Sequence, residues 1–341
     1  MARAYSGREW KAILGIADVD AGSSAGAVGA DTQDANTVTS SKAAFRVTNP
    51  VNDIAWDAAY QRAEIERAGY RGLRNDDIVN HYGSGSWTWD FDYPVDNEVA
   101  LQNLMTLIYP TGYQGAANGI LTIGSNPSVE DYSHGANSGN NRTGVILLEN
   151  PHTDKDRYMH SAILQTLTFG LDAGTNGGRL NTSGQFMTGY KPVIEANTVT
   201  ADTTATDYTK GLFDCTTHSF GGSTCTFKSF NMTIENPASR IGYQGSSGET
   251  DGYSRGQALK VTGTCSLKAD TTVQAFMESK WQTNTAVAIN VGNGSTIDFS
   301  IPAANISSWS MDQADEGIFV EVGWTATAGS GSGNLAVITC T

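Results

Sequence analysis

The chain repeats itself, and the repeat limits what it can fold into more than any other feature does. Phe45, Arg46, Val47, Thr48, Asn49 and Pro50 return as Phe230, Asn231, Met232, Thr233, Ile234, Glu235, Asn236 and Pro237. Each copy continues through a polar stretch containing glycine and arginine into an alternating strand, residues 85–93 and then 261–268. A short amphipathic segment follows each strand and ends in an aromatic residue, Tyr109 or Trp281. Further on, residues 162–189 align with residues 305–329. A duplication at long period decides the architecture before any single element does. Here it predicts a protein that supplies two equivalent pieces of something symmetric.

The strand at residues 86–93 has the clearest pattern. Trp87, Trp89, Phe91 and Tyr93 fall on one face, and Ser86, Thr88, Asp90 and Asp92 on the other. A period of two is what a half-buried strand requires. Its counterpart sets Val261, Gly263, Cys265 and Leu267 against Thr262, Thr264, Ser266 and Lys268. Four aromatic residues in a row could form a carbohydrate platform, but such a row more often makes a core. Phe45 and Val47, then Phe230, Met232 and Ile234, alternate ahead of each Asn-Pro, where proline removes a ladder donor and ends the strand.

After each strand a helix is expected. Pro94 suits a first turn, with Val95, Val99, Leu104, Leu107 and Ile108 as its apolar stripe. In the second copy Asp270 is the N-cap, followed by Val273, Phe276, Met277 and Trp281. Further strands are expected at residues 6–19, 119–123, 144–148, 163–171 and 184–188. The second copy adds 286–291, 296–301, 306–311, 318–325 and 336–340. Many short strands between Gly, Asn and Ser turns indicate sandwiches or barrels. The fold class expected is mainly β: two tandem β-sandwich or barrel modules, residues 1–200 and 201–341, each with one short flanking helix. Residues 20–42 and 124–142 are small and polar and are expected to be loops.

Charged residues are few, yet 35 acids face 21 bases, for a net charge of −14. Affinity for a phosphate backbone comes from Lys and Arg displacing counterions, so this balance argues against tight nucleic-acid binding. No stretch approaches the roughly 20 apolar residues that cross a bilayer, and residues 1–10 lack the apolar core of a signal peptide. Synthesis and retention in a cytoplasm are therefore expected, without a membrane partner. Cys215, Cys225, Cys265 and Cys340 form no C-x-x-C pair. Cys215 and Cys225 flank Gly221-Gly222 and could face each other across a hairpin, although buried thiols are the expectation in a reducing compartment.

No catalytic motif emerges. Nucleophile elbow, zinc-protease and phosphate-loop patterns are absent from the sequence. Gly331-Ser332-Gly333-Asn334-Leu335-Ala336 matches the dinucleotide fingerprint in form, but a strand follows it, which makes it a hairpin turn. His81, His134, His152, His160 and His218 are scattered. Asp90 and Asp92 could serve acid–base chemistry of the glycosidase kind if a partner strand completed the site, yet a solvated polar face explains them with fewer assumptions. Asp154 and Asp156 lack a calcium-loop pattern around them. Asn-x-Ser/Thr triplets at Asn141, Asn181, Asn231, Asn293 and Asn305 are silent without secretion. No enzymatic activity, cofactor or metal is expected.

These residues resemble a known family. A strand ending in Asn-Pro, a Gly/Arg loop, an alternating strand of the Val-Thr-Gly-Thr type and a short helix are similar to the major tail tube proteins of long-tailed bacteriophages. The motif is clearest at residues 230–236, 255–267 and 270–281, and is echoed at 45–50, 74–93 and 95–109. Ser6-Gly7-Arg8-Glu9-Trp10-Lys11 is similar to the first strand of such proteins. The resemblance covers most of the chain, from about residue 5 to the end, apart from the linker regions. It implies β modules whose sheets join around a channel, with rings stacking into a tube that conducts the genome. Two modules per chain then imply a pseudo-sixfold ring of three chains.

The implied partners are further copies of the chain, the tape-measure, terminator and distal tail proteins, and double-stranded DNA passing without specific binding. The implied location is the virion tail, assembled in the host bacterial cytoplasm. Asp90, Asp92 and Glu235 become candidate channel-lining acids. Asn49, Pro50, Asn236 and Pro237 become the structural signature of the repeat. Residues 51–80 and 238–256 become candidates for contacts with neighbouring subunits or rings. The contrasting reading is a tandem β-sandwich that binds carbohydrate or acts as an adhesin.

Overall fold

The computed structural model describes residues 10–16, 40–48, 60–64, 78–82, 87–110, 119–124, 132–133, 143–151, 155–190, 193–196, 207–242, 250, 252–314, 317–328 and 333–341. The chain is mainly β, with two α-helices among the described residues. Its first half contains β1 (Lys11–Ile16), β2 (Ser40–Ala44), β3 (Tyr60–Glu64), β4 (Ile78–Tyr82), β5 (Trp87–Pro94), α1 (Glu98–Ile108), β6 (Ile120–Gly124), β7 (Tyr132–Ser133), β8 (Gly144–Glu149), β9 (Lys155–Asp172), β10 (Asn181–Thr188) and β11 (Val193–Ala196). Then come β12 (Thr217–Phe220), β13 (Ser223–Thr224), β14 (Phe227–Glu235), β15 (Ser239–Ile241), β16 (Gly252–Ser254), β17 (Lys260–Lys268), α2 (Thr271–Thr283), β18 (Val287–Gly292), β19 (Ile297–Ala314), β20 (Gly317–Ala326) and β21 (Asn334–Cys340). Sixteen strands belong to one antiparallel system, while β15–β16–β7 and β3–β4 stand apart.

The same order of pairings occurs twice. In the first half β2, β1, β8, β9, β10 and β5 are successive neighbours, with β11 also on β9. In the second half β13, β12, β18, β19, β20 and β17 follow the same order, with β21 also on β19. The irregularities recur too. A bulge between Gly144 and Ile146 opposite β9 matches one between Val287 and Ile289 opposite β19. A second bulge, between Leu164 and Thr166 in β9, matches one between Ile306 and Ser308 in β19. Bulges bend strands and fix register. Each long strand therefore serves one set of partners with its first part and another with its second.

These registers correct two sequence alignments. The bulges equate Leu164 with Ile306, one residue away from the alignment at residues 162–189. The hydrogen bond Phe45 N–H to Ala12 carbonyl corresponds to Cys225 N–H to His218 carbonyl, which equates Phe45 with Cys225 and not with Phe230. The Phe…Asn-Pro recurrence is thus about five residues out of structural step. Beyond it, β2 ends at Ala44, so residues 45–48 are not a strand, whereas Phe230, Met232 and Ile234 lie in β14. β14 ends at Glu235, immediately before Asn236 and Pro237. Asn49 and Pro50 lie outside the described residues.

Other expectations shift locally. The strand expected at residues 6–19 is described only as β1. The strands expected at 296–301 and 306–311 are one, β19, which carries Pro302 within its first bulge, a position where a ladder donor is dispensable. β6 has no counterpart between α2 and β18, and it pairs with β21 of the second half. Pro94 closes β5 instead of opening the helix. The α1 cap is Asn97, whose Oδ1 accepts from the Val99 and Ala100 amides at 2.9 and 3.2 Å. Asp270 caps α2, accepting from the Val273 amide at 2.8 Å.

The core follows the alternation. Trp87, Trp89, Phe91 and Tyr93 are buried, and so are Val261, Cys265 and Leu267, which removes the aromatic row as a sugar platform. Bulk is traded between equivalent cross-strand pairs. Trp89 stands opposite Phe186, and the equivalent pair is Gly263 opposite Trp324. A Cβ on Gly263 would lie 2.2 Å from the Asn231 carbonyl oxygen and 2.3 Å from the Trp324 ring, so only glycine leaves room for that indole to stack on Phe230. One hydrophobic cluster runs through both halves. α1 is buried along almost its whole length, touching β1, β2, β9 and β21, whereas α2 packs chiefly on β19 and leaves Trp281 exposed.

Candidate assembly face and edge

β14 joins the two halves. On one side it pairs with β17 from Phe227–Leu267 to Glu235–Lys260. On the other it pairs with β9 from Ser229–Asp172 to Glu235–Thr166. The strands β19, β20, β17, β14, β9, β10 and β5 therefore form one continuous antiparallel run. Asn236 locks the end of this joint. Its backbone N–H donates to the Gln165 carbonyl at 2.8 Å, and its side-chain amide donates to the carbonyl of Ile108, the last residue of α1, at 2.9 Å. Its own carbonyl accepts from the Arg255 guanidinium. A carbonyl at a helix C-terminus has no partner within the helix, so this bond satisfies a group that would otherwise be orphaned. Pro237 follows, half-buried, and cannot extend the ladder.

The candidate acids share one face of this run. Asp90 stands opposite Gln185, Gln185 opposite Thr166, Thr166 opposite Glu235, and Glu235 opposite Lys260. Directly opposed cross-strand residues project to the same side of a sheet. A parallel row runs Asp92, Ser183, Thr168, Thr233, Thr262, Thr325. Asp90 is exposed and accepts from the Gln185 amide at 2.7 Å. Asp92 is exposed and accepts from the Asn181 amide at 2.7 Å. The Thr168 and Thr233 hydroxyls meet at 2.9 Å across the joint. Glu235 is half-buried.

The periodicity placed each acid on a polar strand face. It could not show that the two faces are one, because the β14–β9 pairing runs from Ser229–Asp172 to Glu235–Thr166, far apart in sequence. Glu321 and Asp312 lie on this same face, with Lys260 and Lys268 as counter-charges. No motif singled these four out. Alternation within β17, β19 and β20 was the only available signal.

The remaining nominated groups are dispersed. His160 is buried beside the Tyr190 ring, and His218, held below its ordinary pKa by burial, lies against Phe227. Asp156 accepts from the Asn150 amide at 2.8 Å. His134, His152, Asp154 and Asn141 lie outside the described residues. Among the described residues no three His, Cys, Asp or Glu side chains converge on a possible metal position. All four cysteines are buried and free, and burial pushes the Cys215 and Cys225 thiols up to about 12. No helix of the described residues is long and apolar enough to cross a membrane. Compared with known proteins, the chain matches no family model, and no curated protein matches it.

Proposed function

We propose that the chain is a structural subunit that assembles with its own copies into rings stacked as a tube, of the kind formed by the tail tube proteins of long-tailed bacteriophages. The observation that carries this reading is the β14–β9 joint. It fuses two strand sets of like wiring, edge to edge, into one sheet. A unit that joins to its own repeat within a chain has the geometry to join to the next chain, and repetition of one rotation closes a ring. Two tandem modules per chain give a pseudo-sixfold ring of three chains. Ring closure also removes sheet edges that would otherwise template aggregation.

The polar face carrying Asp90, Asp92, Glu235, Asp312 and Glu321 supports its assignment as the channel lining. Carboxylates there repel a passing phosphate backbone, and threonine and serine hydroxyls offer no strong charge for it to bind. The implied partners are tape-measure, terminator and distal tail proteins, together with double-stranded DNA in transit. The implied setting is the virion tail, assembled in the bacterial cytoplasm. Negative-stain microscopy of the purified protein tests the reading. Rings or hollow filaments support it; persistent monomers that bind sugars would sink it in favour of a carbohydrate-binding role.

A further inference from the structure

The two equivalent halves differ in what remains uncovered. Met311, Ile318 and Trp281 are exposed at 46%, 51% and 49%. The bulge register equates Met311 with Phe169, the β10–β20 equivalence equates Ile318 with Leu180, and counting from the helix N-caps equates Trp281 with Ile108. All three first-half residues are buried. What covers them comes from further along the chain. Phe299 meets Phe169 edge-on at 5.5 Å, the Lys210 carbonyl accepts from the Leu180 amide, and the Asn236 side chain caps the Ile108 carbonyl. The second half therefore shields these positions of the first, and nothing among the described residues shields their counterparts.

The backbone shows the same asymmetry. Residues 166–170 of β9 pair on both sides, with β10 and with β14. Among the described residues, residues 308–314 of β19 pair only with β20. The bonds from Asn236 N–H to the Gln165 carbonyl and from Ala173 N–H to the Lys228 carbonyl show that odd-numbered β9 residues face β14. Their equivalents on the open side of β19 are Trp309, Met311 and Gln313. At the opposite end of the run, among the described residues β5 pairs only with β10, and Thr48 reaches its outer side, its amide and hydroxyl donating to the Asp92 carbonyl at 2.9 and 3.3 Å.

We propose that the open edge of β19, with Met311, Ile318 and Trp281 beside it, is the socket for a second copy of this chain, which docks the β5 side of its first half there. The contact sets sheet edge against sheet edge between chains, as β14 and β9 do within one. It is heterologous, so each copy carries one socket and one plug, and association continues until a ring closes. The inference rests on the self-assembly part of the function proposed above, and not on the tube.

The test measures assembly of the full chain by sedimentation velocity and native mass spectrometry. It compares wild type with Met311→Lys, Met311→Pro and, as a control at an exposed position of β11, Ile194→Lys. The first two are expected to weaken self-association by about thirtyfold or more, as loss of a central contact does, and the control to leave it unchanged. Amide exchange adds a readout independent of variant folding. In the wild-type assembly Trp309, Met311 and Gln313 should exchange as slowly as Leu167, Phe169 and Leu171, and should become fast on dilution to single chains. Unchanged assembly of both Met311 variants, or fast exchange at those amides within the assembly, overturns the proposal. A wild-type chain that never self-associates overturns both this socket and the tube. Closed rings that depend on Met311 but never stack support the socket and contradict the tube.

Discussion

Replacing Asn236 with alanine tests whether the joint between the halves is held as described. The side chain is buried, with 5% exposure, and its amide donates to the Ile108 carbonyl at 2.9 Å. Removing the donor loses a hydrogen bond whose net worth is about 1 kcal/mol and leaves a buried carbonyl unsatisfied at a further cost of about 1–3 kcal/mol. The backbone bonds of Asn236 survive, so the expected loss is about 2–4 kcal/mol in all. With an unfolding entropy of roughly 2.1 cal/mol/K per residue, a chain of 341 residues should melt roughly 3–6 °C lower. Calorimetry and tryptophan fluorescence on dissociated chains supply the assay, and their agreement tests for a single transition. Thr233→Val is the companion, since its hydroxyl bond to Thr168 lies on the half-solvated polar face. It should cost no more than about 1 kcal/mol. An Asn236→Ala variant within about 0.5 kcal/mol of wild type would refute the reasoning, because water or a relaxed backbone would then be satisfying the helix end.

Three further outcomes are expected. Gly263→Val should destabilise by about 3 kcal/mol or more, since its Cβ meets both a carbonyl and the Trp324 ring; denaturant unfolding checks this, and a wild-type midpoint would contradict the packing described. Cys215 and Cys225, pushed up to about 12 by burial, keep their protons in the folded state where the unfolded thiols have lost theirs. Their contribution to stability is therefore complete below the unfolded value and is lost as pH rises toward 12. Melting should fall across that alkaline window, and a thiol reagent at pH 8 should label none of the four cysteines before unfolding. Asp90→Lys combined with Asp92→Lys should leave folding within about 0.5 kcal/mol, both being exposed, yet slow genome delivery if that face lines the channel; unchanged delivery would count against the lining role.

The sequence was most legible where a pattern is local. Trp87 to Tyr93 and Val261 to Leu267 alternate because each strand buries one face, and the two sets occupy equivalent positions in β5 and β17. Asp270 announced its helix through its own hydrogen bond. Legibility failed where register depends on distant partners. The Asn-Pro recurrence pointed to Phe230 as the mate of Phe45, but backbone bonding selects Cys225. A bulge costs one residue of step and leaves no mark in composition, so the aligned halves slipped by one at Leu164. Two strands were expected at residues 296–301 and 306–311 where there is one, because a bulge absorbs Pro302. The acids were found one strand at a time, and only the β14–β9 pairing brings Asp90 and Glu235 into a single row. The open edge of β19 was not legible at all, since Met311 and Ile318 read as ordinary core residues until their buried counterparts are known.

Native mass spectrometry of the assembled protein puts the central claim to its most direct test. Two like-wired halves per chain, joined edge to edge, predict a closed ring at three times the 36.1 kDa chain mass. A ring of six chains, or a chain that stays monomeric at every concentration, would contradict it.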